Sequence, residues 1–192
     1  MKGRQSGMPD EEYWSSFFTP RCILSKLGCD ERFGDVVEFG CGYGLFTEEA
    51  AKIVSGSVYA LDIEQEMIEA TSEKIRLAGF TNVVTERRDF VAEGCGLPDG
   101  SAGYAMLFNI LHIEEPVRLL REAKRVLKPG GKVGIIHWNY DSSTPRGPSM
   151  EIRPRPEQVR EWLDEAGFQN IRYDPLDCCP YHYGFVATKE SR

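Results

Sequence analysis

Apolar positions along the chain follow two rhythms that take turns. Short apolar runs of strand length occur at 35–39, 57–62, 82–87, 103–109 and 132–138. Between them apolar residues recur every three or four positions, the spacing of a helix with one buried face. Helices are predicted over 45–54, 64–78, roughly 114–127 and 156–166. In the second, Met67, Ile68, Ile75 and Ala78 share a face and Gly79 supplies the stop. In the third, Val117, Leu120, Ala123 and Leu127 form the stripe, and the cations of RVLKPGG precede a proline–glycine end. The fourth turns Val159, Trp162, Leu163 and Ala166 inward before Gly167. An earlier helical stretch, 11–27, breaks near Pro20 and carries Tyr13, Trp14, Phe17 and Phe18. Strands alternating with helices predict a doubly wound α/β fold, a mostly parallel sheet with helices on both faces. The last two runs, 170–175 and 182–188, have no helix between them. The final, seventh strand is therefore expected to be antiparallel.

With 192 residues the chain suits one domain. Its expected parts are an N-terminal helical segment (1–34), a core (35–138), a long loop (139–155) and a C-terminal helix with a hairpin (156–192). The net charge of −7 gives no general attraction for nucleic acid or anionic membrane. Residues 1–14 lack the apolar stretch of a signal peptide, and apolar runs end at about seven residues, far short of a span. Six cysteines without a CxxC, two of them adjacent (Cys178 and Cys179), suggest a cytoplasmic chain with reduced thiols and no metal.

Candidate chemistry begins at VVEFGCGYGLFT, residues 36–47, where a strand runs into Gly40, Gly42 and Gly44. A dinucleotide fingerprint needs a third glycine at the sixth place. That place holds Leu45 counted from Gly40, and Thr47 counted from Gly42. The lysine and hydroxyl of a P-loop are missing as well. No lysine or arginine lies between Val36 and Ala51, whereas Glu38 stands two residues before the first glycine. A pyrophosphate would face that carboxylate, but an ammonium group would be attracted to it. Asp62 ends the second strand, placed to accept both hydroxyls of a ribose and to repel a 2'-phosphate. The ligand this predicts has a free ribose, an amino group and no phosphate. S-adenosylmethionine meets all three conditions.

Here the sequence resembles the class I S-adenosylmethionine-dependent methyltransferases, of the small type 11-like kind. EFGCGYG looks like their first motif, ALDIEQEMIEAT like the acidic ribose loop, RRDF like the adenine turn, and AMLFNILHI like the fourth-strand motif. The resemblance runs in register over 35–138. It implies a Rossmann-like seven-stranded sheet and a cofactor site of Glu38, Gly40, Cys41, Gly42, Gly44, Asp62, Ile63, Asp89, Phe90 and Asn109. In it Glu38 meets the methionine amino group, Asp89 the adenine amine, and Phe90 the ring. Asn109 lies in FNIL, which departs from the Asn/Asp-Pro-Pro-aromatic sequence of adenine-amino methyltransferases. The resemblance further implies methyl transfer by in-line displacement to a small-molecule acceptor. An RNA or protein methyltransferase and a non-catalytic S-adenosylmethionine-binding protein are the alternatives. Association as monomer or homodimer is left open.

Methyl transfer needs a base only where the acceptor must lose a proton. His112 and His137 follow the fourth and fifth strands and are the candidates, against the plainer reading of structural histidines. His182 reads as structural. On the acceptor side, Tyr13 and Phe17 are candidate lid residues. Trp138, Tyr140 and Arg146 are candidate walls, with Arg153 and Arg155 in the same loop offering charge to an anionic acceptor.

Overall fold

The computed structural model describes residues 9–191. Seven strands form one sheet: β1 (Val36–Phe39), β2 (Val58–Asp62), β3 (Val83–Arg87), β4 (Ala102–Phe108), β5 (Leu127–Trp138), β6 (Gln169–Asp174) and β7 (His182–Thr188). The helices are α1 (Glu11–Ser15), α2 (Pro20–Lys26), α3 (Leu45–Ile53), α4 (Gln65–Ala78), α5 (Phe90–Glu93), α6 (Pro116–Val126) and α7 (Pro156–Glu165). The strand order is β3-β2-β1-β4-β5-β7-β6. β1 pairs in parallel with both β2 and β4, so the winding reverses between β1 and β4. In such sheets ligands bind beyond the carboxyl ends of the strands at this reversal. β7 pairs antiparallel with β5 and with β6, as the missing crossover helix predicts.

All residues of β1 and β4 are buried, because helices cover both faces. Strand alternation divides the core in two. Val37, Phe39, Leu107, Ile135 and Phe185 pack towards α6 and α7. Val36, Met106, Phe108, Ile136 and Trp138 pack on the other face, where α2 adds Ile23, Leu24 and Leu27. Ile23 and Leu24 of α2 and its capping residue Leu27 are fully buried, so α2 is a core element as much as a cover.

Three expectations need correction. Ala78 is exposed and Thr71 takes the buried place on α4, since Thr71 lies below the glycine loop while the last turn of α4 runs clear of the sheet. β5 begins at Leu127, because the LKPGG segment pairs Leu127 with Ala102 before the strand proper. The cysteines are not all reduced: Cys22 of α2 and Cys178, before β7, form a disulfide. They are 156 residues apart in sequence, a pairing that only the antiparallel hairpin brings together.

Candidate active site

Three tight contacts shape the glycine loop. Gly40 N and Cys41 N both donate to Leu61 O, at 2.8 and 2.9 Å, which folds the chain back across the end of β2. Gly44 has φ 73°, and a Cβ there would lie 2.9 Å from the Thr71 side chain. A side chain is thus excluded by both backbone conformation and space. Thr71 Oγ1 donates to Gly42 O at 2.9 Å and holds the loop from below. Cys41 is buried, and its thiol pKa is pushed up chiefly by burial, so it stays a neutral packing group.

Two carboxyl groups flank this loop. Asp62 is 8% exposed; one oxygen accepts from Gly42 N and the other from Glu64 N, each at 3.0 Å. Burial raises its pKa, and those backbone donors oppose the rise. Glu38 is 1% exposed and its carboxylate accepts from the Thr47 hydroxyl. Burial pushes Glu38 up to about 8, the Thr47 bond opposes this, and the nearby Asp62 charge adds to it. A cation brought here would restore the ionised form. The pair therefore suits an ammonium-bearing ligand and disfavours phosphate, as the sequence suggests.

The remaining predicted cofactor residues are distributed differently. Ile63 is half-buried beside Asp62, and its carbonyl accepts from Arg87 Nε at 3.3 Å. Asp89 caps α5 through a 3.0 Å bond from Ala92 N. Phe90 is buried, edge-on to Phe39 at 5.4 Å, so its ring belongs largely to the core. Asn109 follows β4 with φ 55°, a left-handed conformation that is strained for a residue with a Cβ. Both its side-chain polar atoms are buried without a hydrogen bond.

His112 and His137 come together as a buried pair, His112 Nδ1 to His137 Nε2 at 3.3 Å. Burial, then the neighbouring His112, hold His137 well below the usual imidazole range, so it is neutral near pH 7. Its Nδ1 has no hydrogen bond. His182 lies on the other face of the sheet, 4.2 Å from the Trp138 ring, with Nδ1 3.2 Å from Cys179 Sγ. Phe17 meets Trp138 edge-on at 5.2 Å, and Tyr13, 44% exposed, meets Phe17 at 4.8 Å. The N-terminal segment is held near its start as well: Tyr43 Oη, in the glycine loop, donates to Pro9 O at 2.8 Å, and Glu11 pairs with Lys74 of α4.

In the 139–155 loop, Arg153 and Arg155 are engaged by the loop itself. Arg153 is buried and donates to the carbonyls of Asn139, Asp141, Arg146 and Pro148 and to the Thr144 hydroxyl. Arg155 stacks 3.7 Å over Tyr140. Arg146 is half-buried, its carbonyl held by Thr144 and Arg153. The charge expected to meet an anionic acceptor is, for Arg153 and Arg155, engaged in shaping the loop. Sequence reasoning missed Thr47, Thr71 and Tyr43, all hydroxyl-bearing residues in or facing the glycine loop. Among the described residues, no group of three or more metal-ligating side chains could hold an ion, and no helix is long and apolar enough to cross a membrane.

Comparison with known proteins agrees with this geometry. The family model described as "Methyltransferase domain" matches residues 37–135. The crystal structure of a SAM-dependent methyltransferase from Aquifex aeolicus superposes with a TM-score of 0.81 at 28% identity, covering 94% of each chain. The ubiquinone/menaquinone biosynthesis C-methyltransferase UbiE of Cronobacter sakazakii is 25% identical over 72% of this chain and 67% of its own. The chloroplastic 2-methyl-6-phytyl-1,4-hydroquinone methyltransferase 1 of Oryza sativa is 30% identical over 71% of this chain, which spans 42% of that enzyme's length. Several matched relatives are thus more than twice as long as the shared segment. The glycine loop between two buried carboxyl groups, the strand order and these matches agree: the chain belongs to the class I S-adenosylmethionine-dependent methyltransferases, with S-adenosylmethionine as its cofactor.

Proposed function

We propose that the protein transfers a methyl group from S-adenosylmethionine to an uncharged small-molecule acceptor. The observation that carries this reading is the buried Glu38–Asp62 pair on either side of a glycine loop that has no neighbouring cation in sequence. When bound, the cofactor supplies an electrophilic methyl group on a sulfonium. Glu38 receives the ammonium group and Asp62 the ribose hydroxyls. Gly40, Gly42 and Gly44 allow close approach of the backbone. Ile63, Asp89 and Phe90 border the adenine side, and Asn109 stands at the methyl side.

The neutral leaving thioether requires no acid. Alignment of the reacting atoms and exclusion of water supply most of the rate. The aromatic group of Phe17 and Trp138, with Tyr13 beside Phe17, favours a flat, apolar acceptor. The relatives that methylate quinone-type molecules support this, as does the internal use of Arg153 and Arg155. His112 accepts a proton from the acceptor when the reaction releases one, and neutral His137 orients it.

Calorimetry with S-adenosylhomocysteine and with NADH tests the cofactor half. Binding of the first alone is expected; binding of NADH alone would end the reading. Transfer of labelled methyl to a panel of phenols and quinols tests the acceptor half. There His112→Gln should lower kcat by about 100-fold with cofactor affinity unchanged. Cofactor binding without transfer to any acceptor would favour a binding protein instead.

A further inference from the structure

The disulfide occupies an unusual place. Residues 9–18 run from the glycine loop, where Pro9 meets Tyr43, to the tips of β5 and β7, where Phe17 meets Trp138 and Tyr181. Cys22 lies five residues beyond Phe17 and is bonded to Cys178 in the hairpin. Beside it, Thr19 Oγ1 donates to Cys178 O at 3.3 Å and Cys179 Sγ to Phe17 O at 3.0 Å, while Phe17 packs on Trp138 and Phe18 on Phe46 and His182. Further along, α2 is secured without the bridge. Ile23, Leu24 and Leu27 are fully buried, Lys26 pairs with Asp177 at 2.7 Å, and Arg172 donates to Lys26 O at 2.5 Å.

We propose that the Cys22–Cys178 disulfide is a redox latch that holds the helical lid over the active site. Reduction leaves α2 docked through its buried Ile23 and Leu24 and leaves the segment that contains α1, Phe17 and Phe18 held only by its ring packing, the Pro9–Tyr43 bond and the Glu11–Lys74 pair, so that it opens more often. Both bridging cysteines are half-buried and so within reach of a reductant, whereas Cys29, Cys41, Cys95 and Cys179 are buried and unpaired. One reachable bridge among four sheltered thiols is unlike the dense cross-linking of a disulfide-built scaffold. The chemistry is a two-electron exchange with a dithiol. One thiolate of the reductant attacks a bridge sulfur and forms a mixed disulfide, and its second thiolate displaces the protein sulfur. The reductant leaves as a disulfide, and Cys22 and Cys178 each gain a proton as thiols.

The latch rests on the methyltransferase reading for what it gates, and its test separates the two. S-adenosylhomocysteine binding is followed by stopped-flow tryptophan fluorescence, and amide exchange of residues 11–27 by mass spectrometry, before and after dithiothreitol. Reduction should raise both the association and dissociation rates by about threefold or more and speed exchange in 11–18 but not in 23–27. The Cys22→Ser variant should behave as reduced and ignore dithiothreitol. Unchanged rates and unchanged exchange, with only a lower Tm, would reduce the bridge to a staple and overturn the proposal. So would free Cys22 and Cys178 thiols in protein held under mild oxidant. Absence of S-adenosylhomocysteine binding in either state would instead defeat the methyltransferase reading, with lid exchange still reporting on the latch.

Discussion

The tips of β1 and β2 and the tips of β4 and β5 lie side by side at one end of the sheet, yet they are finished differently. At β1–β2 both carboxyl groups have donors: Thr47 for Glu38, Gly42 and Glu64 for Asp62. At β4–β5, Asn109 and His137 keep buried polar atoms without partners, and across the sheet His182 keeps another. Buried polar atoms without partners cost free energy, commonly about 1–3 kcal/mol each. On the proposed reading the first region is built around a ligand that never changes, so the chain can complete its scaffold internally. The second leaves hydrogen-bonding capacity for the acceptor, and the loop beside it is held together independently.

Asp62 braces the glycine loop and, on the proposed reading, receives the ribose. Asp62→Ala should weaken S-adenosylhomocysteine binding by about 100-fold, near 3 kcal/mol, while circular dichroism keeps the fold. Unchanged affinity would mean that the β1–β2 tips are only structural. The opposite region should respond in the opposite manner. Arg153→Leu leaves several loop carbonyls without a donor and should cost about 2–3 kcal/mol, or a Tm lower by roughly 5–10 °C. Its cofactor affinity should not move and its acceptor KM should rise; equal losses on both sides would show the two regions to be one unit.

The smallest effect is a proton. Glu38 keeps its proton in the folded chain up to about pH 8, whereas an unfolded glutamate releases it near pH 4 (roughly 4.3). Between those limits the folded state holds more protons, so this group's contribution to stability is full below the lower limit and declines as pH rises to about 8. A bound ammonium reverses the preference. Binding at pH 7 should release up to one proton and tighten towards pH 8, by up to about tenfold per pH unit. Calorimetry in buffers of different ionisation enthalpy measures this, and Glu38→Gln should abolish the release.

The β1–β2 region was readable from sequence because its chemistry is local. Glu38 and three glycines lie within seven residues, and Asp62 ends the next strand, although the Thr47 bond to Glu38 is not among the readable features. Thr71 escaped notice because its role depends on how α4 packs under the loop. The helix rhythm suggested Ala78 for the core, yet the buried hydroxyl at 71 is what supports Gly42. The β4–β5 region depends on long-range contacts. His112 and His137 were named as candidates, but their pairing follows from strand register. The disulfide was invisible, since 156 residues separate its halves and the cysteine count suggested reduced thiols. Arg153 reads from the sequence as charge on offer, because nothing in the sequence shows that loop carbonyls would enclose it.

That enclosure has a consequence for diversification. Five of the six bonds from Arg153 end on main-chain oxygens, of Pro148 twice and of Asn139, Asp141 and Arg146, and only the Thr144 hydroxyl is a side chain. Main-chain oxygens are common to every amino acid. On the proposed reading, a library that keeps Thr144 and Arg153 but varies Ser142, Ser143, Met150 and Glu151 would therefore alter the wall offered to an acceptor while retaining its shape, which makes this segment a natural place to redirect the protein.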